Sequence, residues 1–134
     1  MINFTPDGIG AEFFAFLAPY APAPPGPDLP VAWGQEEHVR GLFGTAMSDL
    51  TMTRPTYVER AASGEEYCTL FRETFGPLIA IRDSLAPARR AELDRAFLKS
   101  VVKWNKGRST GAVEIPYEYL LVIARTAARS PRPR

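Results

Sequence analysis

The stretch Gly111-Ala-Val-Glu-Ile-Pro-Tyr-Glu-Tyr-Leu-Leu-Val-Ile-Ala-Arg-Thr126 decides the fold. From Tyr117 onward both alternating sets are apolar or aromatic. Tyr117, Tyr119, Leu121 and Ile123 make one face, and Leu120, Val122 and Ala124 the other, with Glu118 as the polar exception. A strand with two apolar faces predicts a central position covered on both sides. Working outward, its natural antiparallel partner is 48–61, where Leu50 and Met52 alternate against Thr51 and Thr53 and Tyr57-Val58 resume the pattern. Pro55 interrupts that strand and predicts a bulge or an edge position, and Pro116 predicts a bulge in the last strand. Residues 1–5 read as a strand stub.

Between these strands the period is helical. Pro6-Asp7-Gly8 turns the stub into a short helix, apolar nearly all round through Ala11, Phe13, Phe14, Phe16 and Leu17. Residues 18–30 hold six prolines, which excludes helix and central strand and predicts an extended crossover, or a lid over a pocket. Trp33-Gly34 leads into a helix at 35–43 that buries Val39, Leu42 and Phe43 and stops at Gly44. Ser63-Gly64-Glu65-Glu66 is a capping box. It opens a helix whose predicted inner face is Tyr67, Leu70, Phe71 and Phe75, ending at Gly76-Pro77. A short helix with Leu78, Ile79, Ile81 and Leu85 follows. Ala86-Pro87 then starts a long helix to about Asn105 with the stripe Leu93, Phe97, Val101 and Trp104. The expected class is α+β: two to three mostly antiparallel strands with about five helices, in one domain over 1–126.

Composition narrows the function classes. Across 134 residues the net charge is +1, so no overall field draws nucleic acid or an anionic membrane. The tail Arg129-Ser-Pro-Arg-Pro-Arg134 carries three of the positive charges, leaving about −2 on residues 1–128, and reads as a basic disordered end, 127–134. A single cysteine, Cys68, cannot form an intrachain disulfide, so a reducing cytoplasm is the expected location. No apolar run reaches membrane-spanning length, and no secretory leader is expected from the opening residues.

Few motifs carry chemistry. Gly8-Ile9-Gly10 fails as a dinucleotide loop, because its third glycine would fall on Phe13. One histidine, His38, and one cysteine make no zinc set. A catalytic Cys68–His38 pair competes with the plainer reading of Cys68 as a small buried hydrophobe. Glu114 and Glu118 share a strand parity, and Tyr117 and Glu118 are the acid–base candidates against a reading as hydrogen-bonded strand residues. The aromatic set Phe13, Phe14, Trp33, Tyr67, Phe71 and Phe75 would line either a core or an apolar ligand pocket.

A resemblance gathers these pieces. Asn3-Phe-Thr-Pro-Asp-Gly8 resembles the N-W-T-P-E-G that follows the fifth strand of an actinobacterial class I S-adenosylmethionine-dependent methyltransferase family. Trp33-Gly-Gln-Glu-Glu37 with Leu42-Phe-Gly44 is similar to its W-G-T-E-E … L-F-G, and Phe71-Arg-Glu-Thr-Phe-Gly-Pro77 to its F-F-R-x-x-Y/F-G-P. Trp104-Asn105 followed by Ile115-Pro-Tyr-Glu-Tyr-Leu120 resembles its F-N … V-P-x-E-Y-L. The likeness runs in order to about Arg125. It implies that 48–61 and 112–126 are strands six and seven, the antiparallel end of a parallel sheet, and that the helices cap an acceptor pocket. The family's donor site, a glycine-rich loop and an acidic residue in its first half, has no counterpart among these residues, so S-adenosylmethionine is expected only through a partner.

Three readings follow. One is a methyltransferase-like, non-catalytic subunit that binds an apolar small molecule or completes a separate catalytic chain, as a homodimer or heteromer, in natural-product biosynthesis. Another is a stand-alone cyclase or isomerase of a hydrophobic natural product. The third is a self-associating remnant. Phe13, Phe14, Trp33, Tyr67 and Phe71 are the expected substrate-binding residues, with no metal ligands.

Overall fold

The computed structural model describes residues 1–21, 30–107 and 111–126. It is an α+β domain with four strands and five α-helices: β1 (Ile2–Phe4), α1 (Ile9–Leu17), α2 (Glu36–Phe43), β2 (Met47–Thr53), β3 (Thr56–Ala61), α3 (Gly64–Thr74), α4 (Gly76–Ser84), α5 (Pro87–Trp104) and β4 (Val113–Thr126). Short 3₁₀ turns at Pro30–Gly34 and Gly44–Ala46 bracket α2. The crossover predicted over 18–30 lies mostly outside the described residues, as do the basic tail and 108–110.

β4 is the centre of an antiparallel sheet. β1 pairs with it on one side; β2 and β3 pair with it end to end on the other. Thr53 faces Leu121 and Thr56 faces Glu118, three residues on in each strand, so the ladder stays in step across Arg54-Pro55. Pro55 therefore makes no bulge. Its carbonyl still accepts from the Tyr119 amide, and the ladder loses only the bond that proline cannot donate. This break turns the expected long strand into two, which accounts for the fourth strand. A register shift does occur, at Met47/Asp49.

Pro116 is also regular, opposite Val58, where a bulge was expected. Along β4 the even-numbered amides and carbonyls face β1, as the Thr5–Glu118 and Met1–Val122 bonds show. The missing donor of Pro116 thus falls past the point where the chain leaves β1 at Pro6, where no ladder bond is lost.

The two faces of β4 are buried in different halves. Val113, Ile115 and Tyr117 pack into the main core with Phe13, Tyr67 and the α5 stripe Leu93, Phe97, Val101 and Trp104. Leu120 and Val122 point to the other face, where Val39 of α2 covers them with Phe43, Leu50 and Met52. The continuous double burial expected from the sequence is replaced by this alternation. Beyond Tyr119 no helix among the described residues covers the main-core face: Ile123 is 57% exposed, and Ile2, opposite Leu121 on the same face, is 64% exposed. Ala124, on the other face, is exposed too.

The helices follow their local signals. Ser63 caps α3 by accepting from the Glu66 amide at 3.1 Å; the Glu66 carboxylate reaches back to the Ala62 amide at 3.0 Å, one residue before the expected Ser63 amide. Gly44 takes φ +50° at the end of α2, a conformation open to glycine. Leu42 and Leu70, expected inside, are exposed instead, and Cys68 takes the buried place on α3. The α3 stripe is rotated by about one position, so Leu70 turns outward while Tyr67, Cys68 and Phe71 turn inward.

Candidate functional site

A cavity of about 170 Å³ opens between the main-core face of the sheet and helices α1 and α3. Phe13, Phe71 and Phe75 form its aromatic floor, with Phe13 edge-on to Phe75 at 5.2 Å between ring centres. Phe4 and Phe14 stand at its sides, beside Gly10. A Cβ on Gly10 would come within 2.6 Å of the Phe4 ring, so α1 approaches β1 this closely only because position 10 has no side chain.

The sheet supplies the polar end. Tyr57 and Glu59 of β3 lie opposite Tyr117 and Ile115, and Tyr57, Glu59 and Tyr117 all line the cavity. Tyr57 is 54% exposed, which places the mouth beside it. A hydrogen bond to the Glu59 carboxylate, more than any other effect, raises the pKa of the Tyr57 hydroxyl. The hydroxyl of Tyr117 is bonded to that of Tyr67, which lies buried behind the wall with its ring stacked on Phe71 at 4.7 Å. Burial first pushes Tyr117 up to about 12, against the lowering effect of its bond to Tyr67. Tyr67 is raised further, again mainly by burial. Both phenols are therefore neutral at pH 7, and Tyr117 is a hydrogen-bonding group there rather than a base.

The predicted site residues divide. Phe13, Phe14, Phe71 and Tyr117 meet at the cavity, and Tyr67 supports it from behind. Trp33 does not reach it. It sits before α2, 41% exposed, edge-on to His38 at 5.8 Å. Glu118 lies on the opposite face of the sheet, 3.6 Å from Arg54, which also approaches Glu36 at 3.6 Å and Asp7 at 3.8 Å. Glu114 shares that opposite face, as its parity required, and pairs with Arg60 at 3.2 Å. Cys68 is fully buried in the main core, where burial pushes its thiol up, while His38 belongs to the helix on the other side of the sheet. The two form no catalytic pair. Among the described residues no cluster of three or more His, Cys, Asp or Glu side chains is placed to hold a metal ion. No helix among them is long and apolar enough to cross a membrane.

Sequence reasoning missed Phe4, Gly10, Tyr57 and Glu59 as lining residues, while Phe75 of the aromatic set does line the cavity. The signal for two of them was present: once 48–61 pairs with the last strand, Tyr57 and Glu59 share the face of Tyr117.

The chain is similar to part of two longer proteins. An uncharacterized protein of Mycobacterium tuberculosis and another of Mycobacterium bovis are each 31% identical over 116 residues. The match takes in 78% of this chain but 42% of either relative, so more than half of each relative lies outside it. No protein-family model matches the chain, and no solved structure does.

Proposed function

We propose that this chain is a methyltransferase-like, non-catalytic module that holds an apolar, ring-sized molecule in the cavity between α1, α3 and the sheet. The cavity itself carries the reading. Its walls are mostly phenylalanine and its volume is about 170 Å³. A dry cavity of about 150 Å³ lined by apolar side chains takes up benzene, so one ring with a short substituent is the natural scale. The resemblance to the acceptor-side half of a methyltransferase family agrees with that use, because the helices around this cavity are those expected to cap the acceptor.

Titration calorimetry with ethylbenzene tests it. Saturable binding is expected, weakened at least about tenfold by Phe14→Trp, which fills the cavity from its partly exposed side. Absence of binding, or equal binding by the variant, would sink the reading.

A specific observation favours a second role for the same module, completing a separate chain that brings S-adenosylmethionine. Ile2, Leu121 and Ile123 form an apolar row on a sheet face that no helix among the described residues covers. The occupant this role requires is a polypeptide like the part of the mycobacterial relatives that lies outside the match. Native mass spectrometry of the protein from its own cells is expected to show a one-to-one complex with such a chain. A monomer, or a dimer of this chain alone, would refute it.

A further inference from the structure

We infer that the cavity selects an organic cation: an arylalkyl amine whose ring lies among the phenylalanines and whose ammonium group lies at the mouth beside Glu59. The inference rests on the apolar-binding reading above and names the chemistry of its ligand. Aromatic ring faces carry negative charge density and attract cations. Here phenylalanine and tyrosine rings surround one space, and among the described residues the one carboxylate in its wall is that of Glu59. Among the described residues no lysine or arginine lines the cavity. Among the described residues Glu59 enters no ion pair, although most carboxylates of this domain do. Its neighbour Arg60 alternates to the opposite face of the strand, where it pairs with Glu114. The carboxylate is half-buried, on the same face of β3 as Tyr57.

A neutral or anionic ligand would bring nothing to match that charge, and an anion would be repelled by it. A cation would meet the carboxylate and the ring faces together. The same geometry sets the orientation, since Glu59 shares its face of β3 with the exposed Tyr57, while Phe13, Phe71 and Phe75 line the cavity from the helices.

The test compares two ligands of nearly one shape, benzylamine, protonated at pH 7, and benzyl alcohol, by calorimetry on the full chain and on Glu59→Gln. Wild type is expected to bind benzylammonium about tenfold tighter, the scale of one hydrogen bond to a charged carboxylate. Glu59→Gln should remove most of that preference and leave benzyl alcohol unchanged. Equal affinities in wild type, or a preference that survives Glu59→Gln, would overturn the cation inference while leaving the apolar cavity in place. Binding of neither ligand would overturn both. Should Glu59→Gln fail to fold by circular dichroism, the wild-type comparison decides alone.

Discussion

The hydroxyl of Tyr67 on α3 meets the hydroxyl of Tyr117 on β4 in a buried hydrogen bond that ties the helical layer to the sheet behind the cavity. Among the described residues no buried side-chain nitrogen or oxygen lacks a partner. Tyr67→Phe would therefore strand the Tyr117 hydroxyl, at a cost of about 1–3 kcal/mol. Tyr117→Phe would do the same to Tyr67. The double variant removes both polar groups together, so its loss should fall well short of the sum. Urea unfolding of the three proteins checks this; strict additivity would show that the bond contributes nothing.

The same pair makes the fold sensitive to alkali. Both phenols are neutral in the folded protein well above the ordinary tyrosine range, Tyr117 up to about 12. In the unfolded chain they lose protons near pH 10. Between those values the unfolded state binds fewer protons than the folded one, so stability is fully present below about pH 10 and falls as pH rises toward 12. Chemical denaturation at pH 8 and pH 11 should show the loss, and Tyr67→Phe/Tyr117→Phe should lessen it. An equal loss in the double variant would place its source elsewhere.

Two glycines of the same region should respond in opposite directions. A Cβ on Gly34 would stand 1.9 Å from the Phe4 carbonyl oxygen, a backbone atom that cannot step aside without unseating β1. Gly34→Ala should cost several kcal/mol, roughly 3 or more, the scale of severe overpacking. Gly41, exposed within α2, has nothing within 4 Å of such an atom. Gly41→Ala should stabilise by about 0.5–1 kcal/mol through helix propensity alone. Thermal melts would decide, and a harmless Gly34→Ala would mean that the turn before α2 does not pack on β1.

What the sequence disclosed follows from which signals are local. The α5 stripe Leu93, Phe97, Val101 and Trp104 was readable because helical spacing alone selects it, and all four are buried. Ser63 and Glu66 announced the start of α3 in the same way. The pairing of 48–61 with the last strand was readable from alternation, and because the register stays in step across Pro55 the two strands β2 and β3 read as one in the sequence. Burial was less legible. Leu121 and Ile123 have the composition of core residues, yet no helix among the described residues covers them, and composition cannot say whether a cover is present. Trp33 joined the aromatic set on residue type alone; its position before α2 puts it away from the cavity. The polar end was hidden for a related reason. Glu59 becomes a wall residue only because β3 lies beside β4, more than fifty residues later.

The acid limb of stability should report a different contact. Glu12 of α1 accepts hydrogen bonds from Lys103 Nζ at 2.7 Å and Trp104 Nε1 at 2.8 Å, latching α1 to the end of α5. The bond to Lys103 first, and that to Trp104 second, hold its carboxyl below the usual carboxylate range. The folded value lies under the unfolded one, so the latch contributes above the unfolded value and is lost as pH falls through the folded one. Glu12 is about half exposed, so solvent screens the effect and the loss in stability should be small. Emission is the sharper readout. Trp33 and Trp104 are the two tryptophans, and a Trp33→Phe background isolates the indole that donates to Glu12. Its emission should shift with a midpoint below the usual carboxylate range, and the shift should vanish in Trp33→Phe/Glu12→Gln. A transition that persists without the Glu12 carboxyl would assign the acid response to another group and leave α1 held by its phenylalanines alone.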